Sequence, residues 1–288
     1  MEKPIVTVLV ACYKNNDPLW KTLDSILRQD YLNIQLIISD DASGSFDLEK
    51  VRKYCSGKVE TIVNENSQNL GTVRHLNMLL QLVEGMYIKL LSPGDTFLRT
   101  GSLGEMVEAI GDADVLVSPA LANTGKVKYL SPSIKTIIRL KNTRCLEHEL
   151  YARNDINMIG TMFRFDGITK FVEEYFLIED WPLWLRLARQ GKKFEFRETA
   201  YCAYALGGIS TSGGNEKFNA DVIKLYETEI LPKINDCTHR IQREARFEYE
   251  KKLHGRHVTK ALLCIKYPEV STRRVFERLG NMRYKCED

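Results

Sequence analysis

Acidic side chains stand at three points where a predicted strand ends or a predicted helix begins. Asp40 and Asp41 follow one strand, Asp95 follows another, and Glu179 and Asp180 open a helix. A single carboxylate at such a point is usually a cap or turn residue. The carboxyl ends of parallel strands, however, meet at one edge of an open α/β sheet, which is where ligands bind. There, carboxylates can bind a hard divalent cation or accept a proton as a general base.

Asp95 lies in the turn that ends the predicted strand Tyr87–Leu91. Pro93 has a fixed φ and no backbone N–H, and Gly94 tolerates a positive φ, so the strand must stop and turn here. The carboxylate of Asp95 then stands just past the carboxyl end of the strand. That position suits a ligand of a divalent cation that holds a diphosphate.

The elements that position these residues alternate between strands and helices over the first hundred residues. Strands are predicted at 5–11, 34–39, 59–63 and 87–91, with a helix predicted in each of the three intervals between them. The first strand is a β-branched run typical of a strand buried on both faces. This alternation predicts an α/β fold with a right-handed, doubly wound, mostly parallel sheet.

Beyond Asp95 the alternation is looser. We predict a helix at 103–110, a strand at 115–118, a loop or short helices over the site at 122–150, a strand at 158–165, a helix at 179–190 and a strand at 194–204. The glycine-rich loop 207–214 is either a lid with glycine hinges or a plain solvent loop. Residues 216–285 are predicted to be helical.

The composition is that of a globular protein without a predicted membrane span. Hydrophobic residues make up 44% and charged residues 27% of the 288 residues. No apolar run approaches the roughly 20 residues that a spanning helix needs, and the start Met-Glu-Lys-Pro does not resemble a secretory signal peptide. The seven cysteines are scattered and contain no C-x-x-C pair. These features predict reduced thiols and a cytoplasmic location.

Basic charge is concentrated towards the end of the chain. Residues 239–285 hold 13 Lys and Arg against 5 Asp and Glu, although the net charge of the whole chain is only +3. Three interpretations are open: a solvated charged helix, a helix that docks on an anionic membrane surface, and a nucleic-acid-binding tail. The third is disfavoured because the chain has no recognised nucleic-acid-binding motif and no aromatic array for stacked bases. We therefore predict no nucleic-acid partner.

Several segments together resemble a known family. The segments 6–13, 23–29, 36–43, 69–77 and 85–88, followed by Glu179-Asp180-Trp181, Leu185, Arg186 and Gly191, resemble a family-2 inverting glycosyltransferase with the GT-A fold. The resemblance covers about residues 5–212, and the joint occurrence is more specific than any one segment. Neither G-x-G-x-x-G nor G-x-x-x-x-G-K-[ST] occurs, so a dinucleotide dehydrogenase or a P-loop enzyme is not supported.

The resemblance implies a role for each site residue. Tyr13 and Asp41 would hold the nucleotide base, Asp95 would lie at the metal-binding motif, and Asp180 would be the general base. The residues that would contact the donor are Ala11, Tyr13, Asp40, Asp41, Asn69, Gly71, Arg74, Asn77, Ser92 and Asp95. The acidic motif of the family usually runs Asp-x-Asp. Here the stretch reads Ser92-Pro93-Gly94-Asp95, so Gly94 falls where the usual metal-binding Asp would stand.

The resemblance also implies an activity. A sugar would be transferred from a nucleotide donor, a UDP-sugar, to a hydroxyl of a glycan or a lipid-linked glycan, with Mn²⁺ or Mg²⁺ as cofactor. A GT-A domain would occupy 1–214, with its nucleotide-binding half at about 1–100 and its acceptor half at about 101–214. Residues 215–288 would form a basic helical extension that could dock at the inner face of the membrane. The variant acidic motif keeps open the alternative of a non-catalytic sugar-nucleotide-binding partner protein. A nucleotidyltransferase on a similar sheet is a further alternative, although no glycine-rich phosphate loop follows the first strand.

Overall fold

The computed structural model describes residues 3–14, 17–123, 128–205, 215–254 and 259–281. The strands in these ranges are β1 (Val6–Cys12), β2 (Ile34–Asp40), β3 (Glu60–Glu65), β4 (Tyr87–Leu91), β5 (Thr96–Phe97), β6 (Val115–Val117), β7 (Ala120–Asn123), β8 (Lys128–Ser131), β9 (Thr161–Arg164), β10 (Phe194–Phe196) and β11 (Cys202–Tyr204). The helices are α1 (Leu19–Leu27), α2 (Leu48–Cys55), α3 (Thr72–Leu80), α4 (Ser102–Ile110), α5 (Ile134–Lys141), α6 (Leu146–Ala152), α7 (Asp180–Arg189), α8 (Glu216–Leu225), α9 (His239–His254), α10 (Thr259–Lys266) and α11 (Pro268–Asn281). The loop predicted at 207–214 lies outside the described residues.

A seven-stranded main sheet runs in the order β10-β6-β9-β4-β1-β2-β3. β1 pairs in parallel with β2 and β4, β2 with β3, and β6 with β10, whereas β9 is antiparallel to both of its neighbours. The prediction of a mostly parallel α/β sheet is therefore confirmed. β1 and β2 are almost entirely buried, as expected for parallel strands that are covered on both faces.

The main sheet separates the hydrophobic core into two layers. Leu9 of β1 packs in one cluster with Trp184 of α7, whereas Val8 and Val10 pack in the other with Leu23 of α1. Because successive side chains of a strand point to opposite faces, the Val-Leu-Val run of β1 serves both layers. The sheet is thus held from both sides, and its carboxyl edge forms a rigid support for the residues that follow each strand.

Beyond residue 100 the structure corrects two predicted strands, and it adds strands to a stretch that was predicted as a loop or short helices. Residues 194–204 form two strands: β10 joins the main sheet, and β11 joins a small second sheet of order β5-β11-β7-β8. The stretch 122–150 contributes to β7 and forms β8, α5 and α6. The strand predicted at 158–165 starts three residues later, as β9, because Met158–Gly160 forms a 3₁₀ turn capped by Asn157. Such short edge strands depend on tertiary pairing more than on local sequence.

The C-terminal helices pack against the rest of the chain. Leu225 of α8 and Ile241 of α9 belong to the hydrophobic cluster that contains Leu9. Phe247 of α9 and Tyr267, which follows α10, belong to a smaller cluster shared with α10 and α11. The prediction of a helical C-terminal region is confirmed over the described residues, and these helices share the core of the main sheet.

Much of the basic charge of this region is used in internal ion pairs. These pairs are Arg240 with Glu149, Arg273 with Glu244, Arg243 with Glu269, and both Arg274 and Lys251 with Glu248. Three of the four carboxylates already count in the balance of 239–285, so the pairs fix where the charges lie and leave most of the basic excess in place. Among the helices in the described ranges, none is long and apolar enough to cross a bilayer.

Candidate functional site

The strands β1, β2 and β4 end at the same edge of the main sheet. In the parallel registers, Cys12 is opposite Asp40 and Val10 is opposite Leu91. The residues that follow these strands therefore leave the sheet side by side. The structure thus brings three groups of predicted site residues together at one edge, those after β1, β2 and β4, as the alternation of elements predicts.

Asp41 organises the loop that crosses this edge. Its side chain is 3% exposed, and its carboxylate accepts hydrogen bonds from Asn66 Nδ2, Leu70 N and Gly71 N, each at 2.9 Å. Asn69 Nδ2 donates to the backbone oxygen of Asp41 at 3.2 Å. A buried carboxylate that accepts several N–H groups ties its donors in place, because each donor would otherwise be left unsatisfied. Asp41 therefore fixes the loop 66–71, and its contact with a nucleotide base stays a prediction.

Asp40 and Tyr13 differ in how much of the side chain is available to a ligand. Asp40 is fully buried, and its oxygens accept from Ser43 N at 2.6 Å and Ser43 Oγ at 2.5 Å. Tyr13 is 42% exposed, and Lys14 Nζ lies 5.0 Å from the centre of its ring. Asp40 thus shapes the turn, whereas the Tyr13 ring is open for stacking. Ala11, near the end of β1, is partly buried.

The backbone at this edge is strained at two non-glycine residues. Lys14 has a φ of 51° and Ala42 a φ of 60°, and among the described residues these are the non-glycine residues with positive φ. Each conformation costs of order 1–3 kcal/mol. Ser43 Oγ accepts from Lys14 N at 2.6 Å, so the turn after β2 holds the turn after β1. Strain of this kind concentrates at ligand sites.

Arg74 and Asn77 of α3 face the segment 171–176 rather than the strand ends. Asn77 is 7% exposed, donates to Phe171 O at 3.0 Å and to Glu173 Oε1 at 2.9 Å, and accepts from Phe171 N at 2.8 Å. The exposed Arg74 lies 3.9 Å from Glu173. These bonds explain Asn77 as a structural residue, and donor binding by either side chain stays a prediction.

Asp95 closes the turn after β4 onto the second sheet. Its side chain is 3% exposed, and its carboxylate accepts from Ser92 N at 3.0 Å and from Ala205 N at 2.9 Å. Burial raises the pKa of Asp95 to about 6, although these two bonds and the nearby charge of Lys89 oppose the rise. Asp95 therefore holds the end of β11 against the turn. The Ser92 side chain is exposed beside it.

Lys89 lies fully buried in the middle of β4 and was not among the predicted site residues. Its ammonium donates to Leu90 O at 3.1 Å and to Ile159 O at 2.6 Å. Burial lowers its pKa, while the thiol of Cys202 and the carboxylate of Asp95 oppose that change. A charged residue inside an otherwise apolar strand was the available signal. Lys89 supplies positive charge beneath the Asp95 turn.

A divalent cation at this turn would have Asp95 as its protein carboxylate. Among the described residues, no three His, Cys, Asp or Glu side chains gather as a metal site. Magnesium in nucleotide sites is commonly held by one or two carboxylates together with substrate phosphates and waters. Each oxygen of Asp95 accepts one N–H and retains a further acceptor position. The residues present therefore fit a cation that is shared with a donor diphosphate.

Asp180 begins α7 and forms an acidic pair with Glu179, and both residues are partly buried. Asp180 Oδ1 accepts from Trp181 N at 2.6 Å. Burial raises the pKa of Asp180, and a hydrogen bond from Asn154 opposes the rise. Burial and then the charge of Asp180 raise the pKa of Glu179 further. Near neutral pH the pair therefore places the proton on Glu179 and the negative charge on Asp180. Asn154 was not predicted, because no sequence pattern links it to Asp180.

The start of α7 is anchored by buried aromatic residues. Trp181 Nε1 donates to Leu150 O at 2.8 Å, and Trp184 Nε1 donates to Ile156 O at 3.1 Å. Trp181 also packs edge-on against Tyr226, with ring centres 5.3 Å apart. Both tryptophans are buried, so they act as core residues that fix the position of Asp180.

Asp180 lines a pocket of about 300 Å³, named here the Asp180 pocket. Its walls include Asn154, Trp181, Phe218, Lys252 and Arg274. The helices α8, α9 and α11 therefore form one side of it, which the sequence did not predict. A second pocket of about 260 Å³ is lined by Leu70, Arg74 and Phe176. Asp41 and Asp95 line neither of these two pockets.

Topology nevertheless places Asp180 at the carboxyl edge of the sheet. α7 leads through the short turn 190–193 into β10, so helix and strand run in opposite directions. α7 therefore begins near the edge at which β10 ends, and β10 is parallel to β6. Asp41, Asp95 and Asp180 thus lie at the same edge, with Asp180 facing the pocket that the C-terminal helices complete.

Comparison with known proteins bears on the family and the fold of the chain. The profile described as Glycosyl transferase family 2 matches residues 7–172. The Escherichia coli protein UDP-Glc:alpha-D-GlcNAc-diphosphoundecaprenol beta-1,3-glucosyltransferase WfaP is 29% identical over 96 residues, which cover 33% of this chain and 38% of that relative. The chain therefore matches less than half of the length of this relative.

Two solved structures share the fold over most of the chain. S. aureus TarS 1–349 in complex with UDP-GlcNAc has a TM-score of 0.61 at 17% identity and covers 86% of this chain and 72% of its own. The mannosyltransferase PcManGT from Pyrobaculum calidifontis, in complex with GDP-Man and Mn²⁺, has a TM-score of 0.63 at 14% identity. The match covers 98% of this chain and 88% of that protein's chain. At these identities the similarity establishes the fold.

Proposed function

Because the chain belongs to glycosyl transferase family 2, we propose that it is an inverting transferase that moves a sugar from a UDP-linked donor to a hydroxyl of a glycan or lipid-linked glycan. The single observation that carries this proposal is Asp180, a partly buried carboxylate that begins α7 and lines a pocket. The UDP donor and the lipid-linked acceptor are further supported by the name of WfaP, and the UDP donor also by the ligand of TarS.

In the proposed reaction Asp180 accepts the proton of the acceptor hydroxyl as the hydroxyl oxygen attacks the anomeric carbon. The new glycosidic bond forms on the face opposite the leaving group, the bond between the anomeric carbon and the diphosphate oxygen breaks, and the nucleoside diphosphate departs. Tyr13 stacks on the base, and the loop held by Asp41 borders the donor. A divalent cation, Mn²⁺ or Mg²⁺, held by Asp95 and the diphosphate would supply Lewis-acid stabilisation of the leaving group.

Thermal denaturation against a panel of UDP- and GDP-sugars tests donor binding. A ligand at 100 times its Kd adds about 2.7 kcal/mol of stability, so we expect a clear rise in Tm with UDP-sugars that is larger when Mn²⁺ is present. Asp95→Asn is expected to lose the Mn²⁺-dependent part of the rise. The exposed Asp112 provides a matched control in Asp112→Asn. A variant Asp95→Asn with an unchanged response to Mn²⁺ would remove Asp95 from cation binding, and no response to any donor would contradict donor binding.

We also propose that α10 and α11 contact a membrane surface. Their exposed apolar side chains support this: Leu262, Ile265, Val275 and Phe276 are 60%, 77%, 56% and 68% exposed. Apolar residues beside basic ones are typical of interfacial helices. We expect co-sedimentation with vesicles that contain anionic lipid. The double variant Ile265→Ser with Phe276→Ser should lose at least about tenfold in binding, since burial of even two CH₂ groups contributes about 1.6 kcal/mol. Equal sedimentation of the double variant would contradict the contact.

A further inference from the structure

Buried polar groups without partners are concentrated on one helix. Within the described part of the chain, the buried side-chain nitrogen and oxygen atoms that lack a hydrogen-bond partner are Ser271 Oγ, Arg274 Nε and Arg274 Nη2, all on α11. Buried polar atoms are almost always bonded, so each exception requires a reason. Arg274 also lines the Asp180 pocket. Two guanidinium nitrogens thus lie unpartnered on a residue that lines the same pocket as the proposed catalytic base.

The guanidinium of Arg274 is held in place from two sides. Its Nη1 pairs with Glu248, and its charge centre lies 5.2 Å from the centre of the Phe247 ring. The Nε and Nη2 groups are neighbours on one edge of the planar guanidinium. Two parallel N–H groups of this kind match two oxygens of a phosphate or carboxylate. Glu248 anchors the other edge of the group, so the free edge is oriented before a ligand arrives.

A second cation reaches the same pocket from α9. Lys252 Nζ donates to Asn219 Oδ1 at 2.9 Å and lies 5.1 Å from the centre of the Phe218 ring. By contrast, Arg153 pairs with Asp155 at 2.7 Å and Glu277 at 2.9 Å. Arg153 is therefore held in the wall by two carboxylates, whereas Arg274 retains two nitrogens without a hydrogen-bond partner.

We propose that the Asp180 pocket binds a phosphate group carried by the acceptor, through the two unpartnered nitrogens of Arg274. The inference rests on the proposed function, because it places the reacting hydroxyl at Asp180 and the phosphate at α11. A volume of about 300 Å³ is at the lower end of small-molecule sites, which suits one sugar with its phosphate. The acceptor class is thus a sugar phosphate or diphosphate, attached to a lipid or free in solution.

A variant series separates this role from a structural one. Arg274→Lys retains charge near Glu248 but loses the two-pronged edge, and Arg274→Gln removes the charge. The control is Arg243→Gln, which breaks a comparable ion pair with Glu269 at 2.7 Å away from the pocket. Loss of two charge-assisted hydrogen bonds predicts a KM for a phosphate-bearing acceptor that is about 10- to 100-fold higher in Arg274→Gln. The KM for the donor is expected to change less than about twofold.

The acceptors are a polyprenyl diphosphate sugar in micelles, a soluble sugar 1-phosphate, and the neutral methyl glycoside of the same sugar. If Arg274→Gln raises the KM of both phosphate-bearing acceptors, the pocket recognises the phosphate whether or not a lipid carries it. If it raises the KM of the polyprenyl diphosphate sugar alone, the acceptor is a lipid-linked diphosphate. The proposal would be overturned if Arg274→Gln raised the KM of the neutral glycoside equally, or if it raised no acceptor KM. It would also be overturned if the variant raised the KM of the donor instead, because the pocket would then bind the donor diphosphate.

A binding measurement distinguishes failure of this inference from failure of the proposed function. Calorimetric titration of the full chain with the sugar 1-phosphate is expected to show binding to the wild type and to Arg243→Gln, weakened about 10- to 100-fold in Arg274→Gln. Binding that depends on Arg274 in a protein without transferase activity would contradict the proposed function and support the site. Transferase activity with binding that is indifferent to Arg274 would contradict the site alone.

Discussion

Asp180→Asn is expected to lower kcat by about 10²- to 10⁴-fold, the range that a positioned general base contributes. Asparagine has nearly the same shape and can still accept from Trp181 N, so the start of α7 should be retained. It cannot, however, accept the proton of an attacking hydroxyl. Donor affinity, measured by calorimetric titration with a UDP-sugar, is expected to stay within about twofold of the wild type.

The neighbouring carboxyl provides the control. Because the pKa of Glu179 is raised by burial and by the charge of Asp180, Glu179 is protonated at neutral pH, and Glu179→Gln mimics that state. We expect kcat of Glu179→Gln to remain within a few-fold of the wild type. If instead Glu179→Gln were inactive and Asp180→Asn active, the base would be Glu179.

The dependence on pH follows from the same geometry. Asp180 must be ionised to accept a proton, and burial raises its pKa above the ordinary Asp value of 3.8. Activity should therefore fall as the pH drops through this raised pKa, at a higher pH than for an exposed aspartate. The profile of kcat/KM against pH reports this limb, and Glu179→Gln should retain it.

The parallel half of the fold was predictable because its signals are local. Ile34–Asp40 and Tyr87–Leu91 are compact apolar runs that end in turn residues, and parallel strands buried on both faces need little else to be recognised. The second sheet was not predictable in this way. β5, β7 and β11 are two to four residues long. They pair across long sequence separations, and Asp95, just before β5, accepts from Ala205, 110 positions along the chain.

The sequence was enough to predict where the site lies, but it did not reveal the hydrogen bonds within the site. The ends of β2 and β4 located Asp41 and Asp95, yet only the structure shows that each carboxylate is committed to backbone N–H groups. Arg274 appeared in the sequence as one charge in a basic tail. Its position in the lining of the Asp180 pocket depends on how α9 and α11 pack, and no periodicity within the tail encodes that packing.

Asp221→Ala is expected to reduce both stability and activity. The carboxylate of Asp221, 8% exposed on α8, accepts from the backbone N–H groups of Phe176, Leu177 and Ile178 at 2.9, 2.6 and 3.3 Å. Alanine leaves these donors unsatisfied, and each unsatisfied buried group costs about 1–3 kcal/mol. Because water can reach part of this segment, we expect a total loss of about 2–4 kcal/mol, measured by chemical denaturation.

The segment 176–178 leads directly into Glu179 and Asp180, so its release should also displace the proposed base. We expect kcat of Asp221→Ala to fall about 10- to 100-fold at a temperature where the variant is still folded, since a misplacement of about 1 Å can cost that much. Asp221→Asn retains one acceptor oxygen and should lie between the alanine variant and the wild type. The exposed Asp236 gives the matched control, because Asp236→Ala removes a carboxylate from the same region without these bonds. A folded Asp221→Ala with full activity would show that Asp180 holds its position through α7 alone.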